Sequence, residues 1–411
     1  MKKIVIIGGG AAGMIAGISS SQGGNIVHLF EKNNKLGKKL YITGKGRCNL
    51  TNAVDVEELL ENIPSNPYFL YSSFYAMDSR SLIEFFSKLG LKTKIERGNR
   101  VFPVSEKASD VVRTLEKELR NKGVNIHLQE AVTELVVKDG KIAGIKKSDG
   151  NIFPCDKVIV ATGGLSYPMT GSTGDGYKFA KSVSHHVVKL SPSLVPLITL
   201  ENWVSELQGL SLKNVSIKAK VNGKVIYKDF GEMLFTHFGI SGPMILSASR
   251  HLLETYDLKP TISIDLKPAL NDKELDKRIL RDFEKYINKS FKNSLSDLLP
   301  QKLIPVVVML SKIPENTKVN EITKQQRKIL VDILKNLTMT IKSTTTFNDA
   351  IITSGGVCVD EIDPSSMESK IVKGLFFAGE VLDVDAYTGG FNLQIAFSTG
   401  YLAGLSSSSE M

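Results

Sequence analysis

The chain has 411 residues and a mass of 45.0 kDa, and 42% of its residues are hydrophobic and 23% are charged. These values exclude a disordered or fibrous protein and allow two or three cores. The net charge of +9 mildly favours anionic ligands, but the basic residues are scattered and only 7% of residues are aromatic. We therefore expect a small-molecule substrate and no nucleic-acid partner.

The three cysteines, Cys48, Cys155 and Cys358, form neither a CxxC pair nor a metal-ligand spacing with the six histidines. The apolar run after the first three residues is too short for a signal peptide, and no stretch approaches about 18 consecutive apolar residues. We expect a cytoplasmic protein with reduced thiols, no metal and no membrane association.

The first predicted element is a buried strand that runs directly into a glycine-rich turn. Residues 4–7 form the β-branched run of a parallel strand, and residues 8–13 have the G-x-G-x-x-G spacing. Gly8 allows a tight turn, Gly10 lets a pyrophosphate approach the backbone, and Gly13 lets the following helix pack closely. This pattern predicts a dinucleotide site at a helix N-terminus, which favours phosphate charge.

A second predicted strand, residues 26–30, ends at Glu31. A carboxylate at this position can accept hydrogen bonds from both ribose hydroxyls of an adenosine. Strand, turn, helix, strand and acid follow in the expected order, which favours this interpretation over a glycine turn with a surface glutamate. An acid here also repels a 2′-phosphate, so the nucleotide is NAD-like or FAD-like rather than NADP.

The long polar loop that follows, residues 32–52, distinguishes FAD from NAD. An NAD dehydrogenase would usually pass to a short loop and a helix at this point. A loop that carries Lys38, Lys39, Lys45 and Arg47 can instead wrap the pyrophosphate and ribityl chain of FAD. For each lysine alone a solvated surface position is equally compatible, and Arg47 is the stronger candidate.

Apolar residues at helical spacing predict a helix over residues 106–122, closed by Gly123. Alternating segments joined by two Asp-Gly turns then predict an antiparallel meander. Residues 158–161 return as a buried strand, and the sequence Thr-Gly-Gly at 162–164 allows the backbone to pass close to a cofactor.

Residues 171–176 hold three glycines before a predicted helix, which fits either a phosphate-type loop or a plain connector. The loop lacks the Lys-Ser/Thr pair of a P-loop, which excludes a Walker-type nucleotidase. His185 and His186 lie at the end of that helix, where capping is the simpler explanation than a metal site.

From residue 191 the sequence changes to short alternating strands, and residues 271–338 then carry apolar residues at helical spacing in a lysine-rich background. Residues 235–243 place His237 among phenylalanines and glycines next to a helix. His237 is a candidate proton donor or substrate contact, and a histidine hydrogen-bonded by the backbone of its turn is the simpler explanation.

The carboxyl-terminal segment is predicted to return to the first sheet. Residues 375–378 form a buried strand that ends at Gly379 and Glu380. If this strand neighbours the first one, Glu380 lies beside the glycine turn and can hold a ribityl hydroxyl. Gly390 then opens a last helix whose N-terminus can face the flavin pyrimidine ring.

Four sequence blocks together resemble a known family. They are GKGRCNLTN at 44–52, ATGG at 161–164 with TGSTGDG at 170–176, FTHFGISGP at 235–243, and GLFFAGE at 374–380 with TGGFNLQ at 388–394. With the glycine turn and Glu31, the chain resembles the bacterial FAD-binding oxidoreductases that include aminoacetone oxidase and the bile-acid ene-reductase BaiN, within the two-dinucleotide-binding-domain flavoproteins. The resemblance extends from end to end.

The resemblance implies an α/β fold with a Rossmann-like, glutathione-reductase-like FAD-binding domain at residues 1–190 and 339–411. A β-barrel-like insertion at 191–270 and a helical cap at 271–338 interrupt it. Non-covalent FAD is implied, with Val132 beside the adenine. The predicted cofactor-binding residues are Gly8, Gly10, Ala11, Ala12, Gly13, Glu31, Lys32, Lys39, Gly46, Arg47, Cys48, Asn49, Val132, Ala161, Thr162, Gly163, Gly379, Glu380, Gly390, Asn392, Leu393 and Gln394.

The expected activity is flavin-dependent hydride transfer to or from a small organic substrate. No second G-x-G-x-x-G opens a strand-to-helix turn, so electrons come from the substrate, from NAD(P)H that docks transiently, or from a partner. The family resemblance leaves two enzymatic activities open, reduction of an enone and oxidation of a small amine by oxygen. The third alternative is a flavin-binding regulatory or RNA-modification accessory protein without turnover, for which the net charge of +9 is the only indication.

Overall fold

A computed structural model describes residues 1–409. The contacts divide the chain into two units, one formed by Met1–Pro192 with the chain from Phe347 onward, the other by Ser193–Thr346. The strands are β1 (Lys3–Ile7), β2 (Ile26–Glu31), β3 (Thr51–Asn52), β4 (Thr93–Glu96), β5 (Arg100–Pro103), β6 (Asn125–Leu128), β7 (Val132–Lys138), β8 (Lys141–Lys147), β9 (Ile152–Pro154), β10 (Lys157–Val160), β11 (Ser191–Ser193), β12 (Leu197–Thr199), β13 (Ser211–Val221), β14 (Lys224–Phe235), β15 (Gly239–Ser241), β16 (Thr261–Asp265), β17 (Leu337–Thr344), β18 (Ile352–Ser354) and β19 (Leu375–Phe377).

Short 3-10 turns and longer loops join these strands to the helices. The helices are α1 (Ala11–Ser20), α2 (Lys38–Ile42), α3 (Val56–Glu61), α4 (Tyr71–Ala76), α5 (Ser79–Lys88), α6 (Ala108–Asn121), α7 (Asp175–Ser182), α8 (Pro243–His251), α9 (Asp272–Lys285), α10 (Phe291–Ser294), α11 (Ile304–Ser311), α12 (Lys324–Lys335) and α13 (Phe391–Ser408). In the part of the chain that the structure describes, no helix combines the length and the apolar character needed to cross a membrane.

The first unit is built on a parallel sheet in the order β19-β10-β1-β2-β6. Ile4, Val5 and Ile6 of the central strand are fully buried, as a strand covered by helices on both faces requires. Helix α1 packs against α6 and α13. Alternating strands and helices around a parallel sheet confirm the predicted Rossmann-like α/β fold.

The carboxyl-terminal strand does not lie where the sequence analysis required. Strand β19 pairs with β10, and β10 pairs in turn with β1. The sequence analysis placed Glu380 beside the glycine turn on the condition that its strand, β19, neighbours β1. That condition is not met. The apolar run Val158, Ile159 and Val160 of β10 is fully buried and lies between β19 and β1. A Cβ built at Gly379 would nevertheless lie 2.9 Å from the Cβ of Ala12, so the end of β19 approaches the glycine turn, and contact of Glu380 with the ribityl chain stays a prediction.

Local predictions between these strands are confirmed. Helix α6 covers most of the predicted range, and Gly123 follows it with a positive φ of 71°. Strands β7, β8 and β9 form the antiparallel meander. Asp139 and Gly140, with φ of 50° and 71°, make the left-handed turn that joins β7 to β8, because Asp-Gly tolerates that conformation at low cost.

The second unit contains a closed barrel in the order β12-β15-β14-β13-β16-β17, with neighbouring strands antiparallel. Fully buried side chains such as Ile262 and Met339 fill its interior. The barrel and the helices α9–α12 agree with the predicted fold class. The alternation of buried Met339 and Ile341 places residues 339–344, which the sequence analysis gave to the last FAD-binding segment, in the barrel.

Candidate cofactor-binding site

The glycine turn after β1 has the conformation that its sequence predicts. Gly8 has a φ of 105°, and its N–H donates to the carbonyl of Phe30 over 2.8 Å. A side chain at Gly8 would lie 2.5 Å from the Ala161 oxygen, and one at Gly13 would overlap the Gly8 carbonyl. These two glycines thus bring β1, α1 and the end of β10 together.

Gly10 serves a different purpose, because it has open space in front of it. It is the N-cap of α1 in an extended conformation, and a Cβ built there would meet no atom within 4 Å. The free N–H groups of the first turn of α1 favour anions at such a place. The residues present therefore fit a pyrophosphate, with partly buried Ala11 and buried Ala12 beneath it.

Glu31 is held rigidly at the end of β2. One carboxylate oxygen accepts from the N–H of Gly9 over 2.8 Å, and the other accepts from the backbone and side-chain N–H groups of Asn33 at 2.8 and 2.7 Å. The side chain is buried, with 9% of its surface exposed. Such a fixed carboxylate is suited to accept hydrogen bonds from ribose hydroxyls.

We expect Glu31→Gln to fold and to bind FAD about tenfold more weakly, which corresponds to about 1.4 kcal/mol. The amide offers one acceptor oxygen, so either Gly9 or Asn33 loses its partner and the ribose loses charge-assisted hydrogen bonds. Fluorescence titration of deflavinated protein measures the affinity. The exposed Glu61→Gln is the matched control, and equal affinities of the two variants would contradict the assignment.

The predicted basic contacts are paired with carboxylates of the protein itself. Lys32 lies 2.6 Å from Asp175, and Arg47 lies 2.6 Å from Glu96 with its guanidinium over the Phe102 ring. The hydrogen bond from Arg47 lowers the pKa of Glu96. Because these charges are already neutralised, contact of either residue with the pyrophosphate stays a prediction.

Lys39 belongs to a largely buried polar network that joins four chain segments. Its ammonium group lies 2.5 Å from Glu380 and also donates to the hydroxyl of Ser166. Glu380 in turn accepts from Ser166 over 2.7 Å and from the N–H of Thr353 over 3.0 Å. Neither Ser166 nor Thr353 belongs to a recognisable motif, and the sequence analysis missed both.

The N-terminus of α13 is shaped by two glycines and fixed by two amides. Gly390 has a φ of 106°, and a side chain there would overlap the Thr51 carbonyl. Asn392 holds the loop before the helix through the backbone of Ala386, and Gln394 is buried between Thr51 and the carbonyl of Met77. These two amides position the helix end, and its free N–H groups point away from the helix body.

Three buried oxygens in the same unit have no hydrogen-bond partner among residues 1–409. They are the side-chain oxygens of Asn49 and Thr162, which were predicted, and that of Asn52, which was missed. The amide nitrogen of Asn52 donates to the carbonyl of Gly389, which places the Asn52 side chain beside the start of α13. Buried polar atoms without partners are costly, so they fit a site completed by a ligand.

The remaining predicted contacts are backbone or apolar positions. Val132 begins β7 and is buried, and Ala161 directly follows β10. Gly46 and Gly163 have positive φ. A Cβ built at Gly379 would lie close to the Cβ of Ala12. Leu393 is partly buried in the first turn of α13. Their contact with a cofactor stays a prediction.

The histidines singled out from the sequence lie in different surroundings. His185 is buried, with Glu361 2.9 Å from one ring nitrogen and Ser369 2.7 Å from the other, and burial lowers its pKa. His237 is exposed on the second unit, with its ring edge-on to Phe238 at 4.8 Å. No group of three or more potential metal ligands occurs among the residues that the structure describes.

Cys48 is not suited to redox chemistry. Burial raises the pKa of its thiol to about 12, and burial does the same for Cys155. Both therefore stay protonated at pH 8, whereas Cys358 is partly exposed.

We expect a disulfide reagent at pH 8 to modify one thiol in the native protein and all three after unfolding. The absorbance of the thiolate that the reagent releases gives the number of modified thiols. In the native Cys358→Ala variant this number should be zero. Rapid labelling of Cys48 in the native protein would contradict its assignment as a buried, protonated thiol.

Comparison with known proteins places the chain in a family. The family model described as "HI0933-like protein Rossmann domain" matches residues 2–406. The chain is 35% identical to a 3-dehydro-bile acid delta(4,6)-reductase of Clostridium scindens, over 98% of each chain. It is also 32% identical to a ribosomal RNA dihydrouridine synthase of Haemophilus influenzae, over 99% of this chain and 98% of the other.

A solved structure shares the fold. A 3-ketosteroid delta1-dehydrogenase from Sterolibacterium denitrificans superposes with a TM-score of 0.53 over the whole of both chains, at 12% identity. The family resemblance predicted from the sequence blocks is thus confirmed. The chain belongs to the HI0933-like Rossmann family of FAD-dependent oxidoreductases.

Proposed function

We propose that this chain is an ene-reductase that adds a hydride to a ring C=C bond conjugated with a carbonyl group. The observation that carries this proposal is the likeness, over nearly the full length, to two differently named relatives. A delta-4 double bond beside a 3-oxo group is an enone, and the C5=C6 bond of uridine is conjugated with the C4 carbonyl. Both names therefore describe hydrogen addition to the same reactive group.

The residues of the first unit would bind and orient FAD for this reaction. The turn at Gly10 and the N-terminus of α1 would hold the pyrophosphate, and Glu31 the ribose. The N-terminus of α13 would stabilise negative charge on the flavin pyrimidine side. When bound, FAD supplies the chemistry of taking up and passing on two electrons as hydride.

We further propose NAD(P)H as the reductant and the cytoplasm as the compartment. The sequence has one G-x-G-x-x-G at a strand-to-helix turn, so the nicotinamide would dock transiently. The three cysteines are free thiols, which fits a reducing compartment. In the overall reaction NAD(P)H is oxidised by two electrons, the hydride joins the β-carbon of the enone, and a proton joins the α-carbon.

His237 is the proposed source of that proton. Its exposed imidazole can exchange protons with solvent. We expect His237→Gln to slow the oxidation of reduced enzyme by an enone without slowing its reduction by NAD(P)H. The exposed His186→Gln is the control, and equal rates for the two variants would remove His237 from the mechanism.

Anaerobic spectroscopy of the purified protein tests the reaction itself. NADH or NADPH should bleach the flavin absorbance, and a cyclic enone should restore it with formation of the saturated ketone. Bleaching by aminoacetone, with none by NAD(P)H, would instead support an amine oxidase and overturn the proposal. Restoration by neither an enone nor a uridine-containing RNA would also overturn it.

Uridine in ribosomal RNA is the second candidate substrate. The specific observation in its favour is the 32% identity to a ribosomal RNA dihydrouridine synthase over 99% of the chain. The reacting double bond is of the same class, so the cofactor site needs no change between the two substrates. The candidates differ in what the rest of the protein must bind, a small apolar molecule or a polyanion.

A further inference from the structure

We propose that the outer face of the hairpin β13–β14 binds the phosphate backbone of RNA. This inference rests on the second substrate candidate above and assigns the surface that would hold that substrate. The face comprises Lys218, Lys220, Lys228 and Phe230, called the lysine face below. It lies wholly on the second unit.

The register of the hairpin places these side chains on one side of the sheet. Lys218 is directly opposite Lys228, and the neighbouring Ile217 and Ala219 are buried inside the barrel. Lys220 follows Lys218 by two residues, so it points to the same side at a spacing of about 6.6 Å. A two-residue turn, Asn222 and Gly223 with φ of 49° and 76°, closes the hairpin.

The lysine pair is unfavourable for the fold alone. Like charges directly opposite each other on antiparallel strands repel and destabilise the sheet. Lys218, Lys220 and Lys228 form no ion pair within the described chain, although Glu232 is exposed further along β14. The nearby carboxylate of Asp265 is already bound to Lys335 at 2.5 Å. Charge left unpaired in this way is complementary to a polyanion.

An exposed aromatic ring distinguishes this face from an ordinary solvated one. Phe230 lies two residues from Lys228 and opposite Ser216, and 59% of its surface is exposed. An aromatic ring beside lysines can stack on an unpaired base, as in proteins that bind single-stranded nucleic acid. The aromatic content of 7% is an average over the whole chain and does not describe this local arrangement.

Fluorescence anisotropy with a labelled single-stranded fragment of ribosomal RNA tests the proposal on the flavin-loaded full chain. For Lys218→Ala/Lys228→Ala we expect the slope of log K against log salt to fall in magnitude by about 1.4, since each phosphate contact contributes about 0.7. Phe230→Ala should weaken binding about fivefold or more. The exposed pair Lys273→Ala/Lys277→Ala on α9 is the matched control and should behave as the parent protein.

The remaining outcomes separate this inference from the proposed reaction. Unchanged RNA affinity and salt slope in the lysine double variant, with cooperative unfolding preserved, would overturn it. Equal binding of the parent protein to anionic phosphatidylserine vesicles, lost in the same variant, would also overturn it in favour of a membrane surface. Loss of RNA binding together with unchanged enone reduction supports the face. RNA binding through this face, with the flavin restored by neither an enone nor RNA, would refute only the reaction.

Discussion

Replacing Gly10 by valine is expected to give a folded protein that purifies without flavin. The extended backbone of Gly10, with φ of −81° and ψ of −169°, suits a β-branched residue. No protein atom other than those of the adjoining residues lies within 4 Å of a Cβ built at Gly10, so the side chain would begin in open space. The branched side chain would fill the space that we assign to the pyrophosphate. We expect flavin loading to fall at least a hundredfold.

The ratio of flavin to protein absorbance, together with thermal unfolding of deflavinated samples, measures both parts of this prediction. Gly13→Ala is the contrasting variant, because its methyl group would overlap the Gly8 carbonyl and destabilise the turn itself. Gly10→Val should therefore keep the unfolding midpoint of the deflavinated parent, whereas Gly13→Ala should lower it. A fully loaded Gly10→Val protein would contradict the placement of the cofactor.

Local signals in the sequence predict the local structure of the proposed nucleotide-binding end well. The apolar run of β1, the glycine turn and Glu31 each depend on residues within a few positions, so periodicity and spacing suffice. Gly10 faces open space and Glu31 is fixed at the end of its strand, as that local pattern requires.

Pairing over long sequence distances could not be predicted in the same way. Charge alone made Lys32 and Arg47 candidates for the pyrophosphate, yet Asp175 and Glu96 lie beside them in the fold. A charge pattern indicates that a side chain needs an oppositely charged partner. Which carboxylate or phosphate lies beside it depends on the path of the folded chain. The same limit applies to strand order, since an apolar run such as that of β19 fits beside any buried neighbour.

The ion pair of Lys39 and Glu380 is expected to stabilise the fold of the first unit substantially. The pair lies 2.5 Å apart, with 23% and 13% of the side chains exposed. Removing one partner leaves a partly desolvated charge and, for Glu380, an unpaired N–H at Thr353. We expect Lys39→Met or Glu380→Ala to lower the free energy of unfolding by about 2 to 3 kcal/mol, discounted for the residual exposure.

A double-mutant cycle separates this pairing from general damage. In Lys39→Met/Glu380→Gln both charges are gone, and the glutamine oxygen can still accept from Thr353. Its loss should therefore be smaller than the sum of the losses in Lys39→Met and Glu380→Gln, with a coupling of about 1 to 2 kcal/mol. Urea unfolding of deflavinated protein measures the cycle without a contribution from ligand binding.

The exposed pair Arg80 and Glu84 on α5 provides the matched control, since side chains exposed by 86% and 53% should show no measurable coupling. Additive losses at Lys39 and Glu380 would mean that the two side chains act independently. In that case the four segments would be held together by apolar packing, and the network would have to be explained by its effect on the bound flavin. Because each variant is measured without flavin, the coupling decides between these explanations.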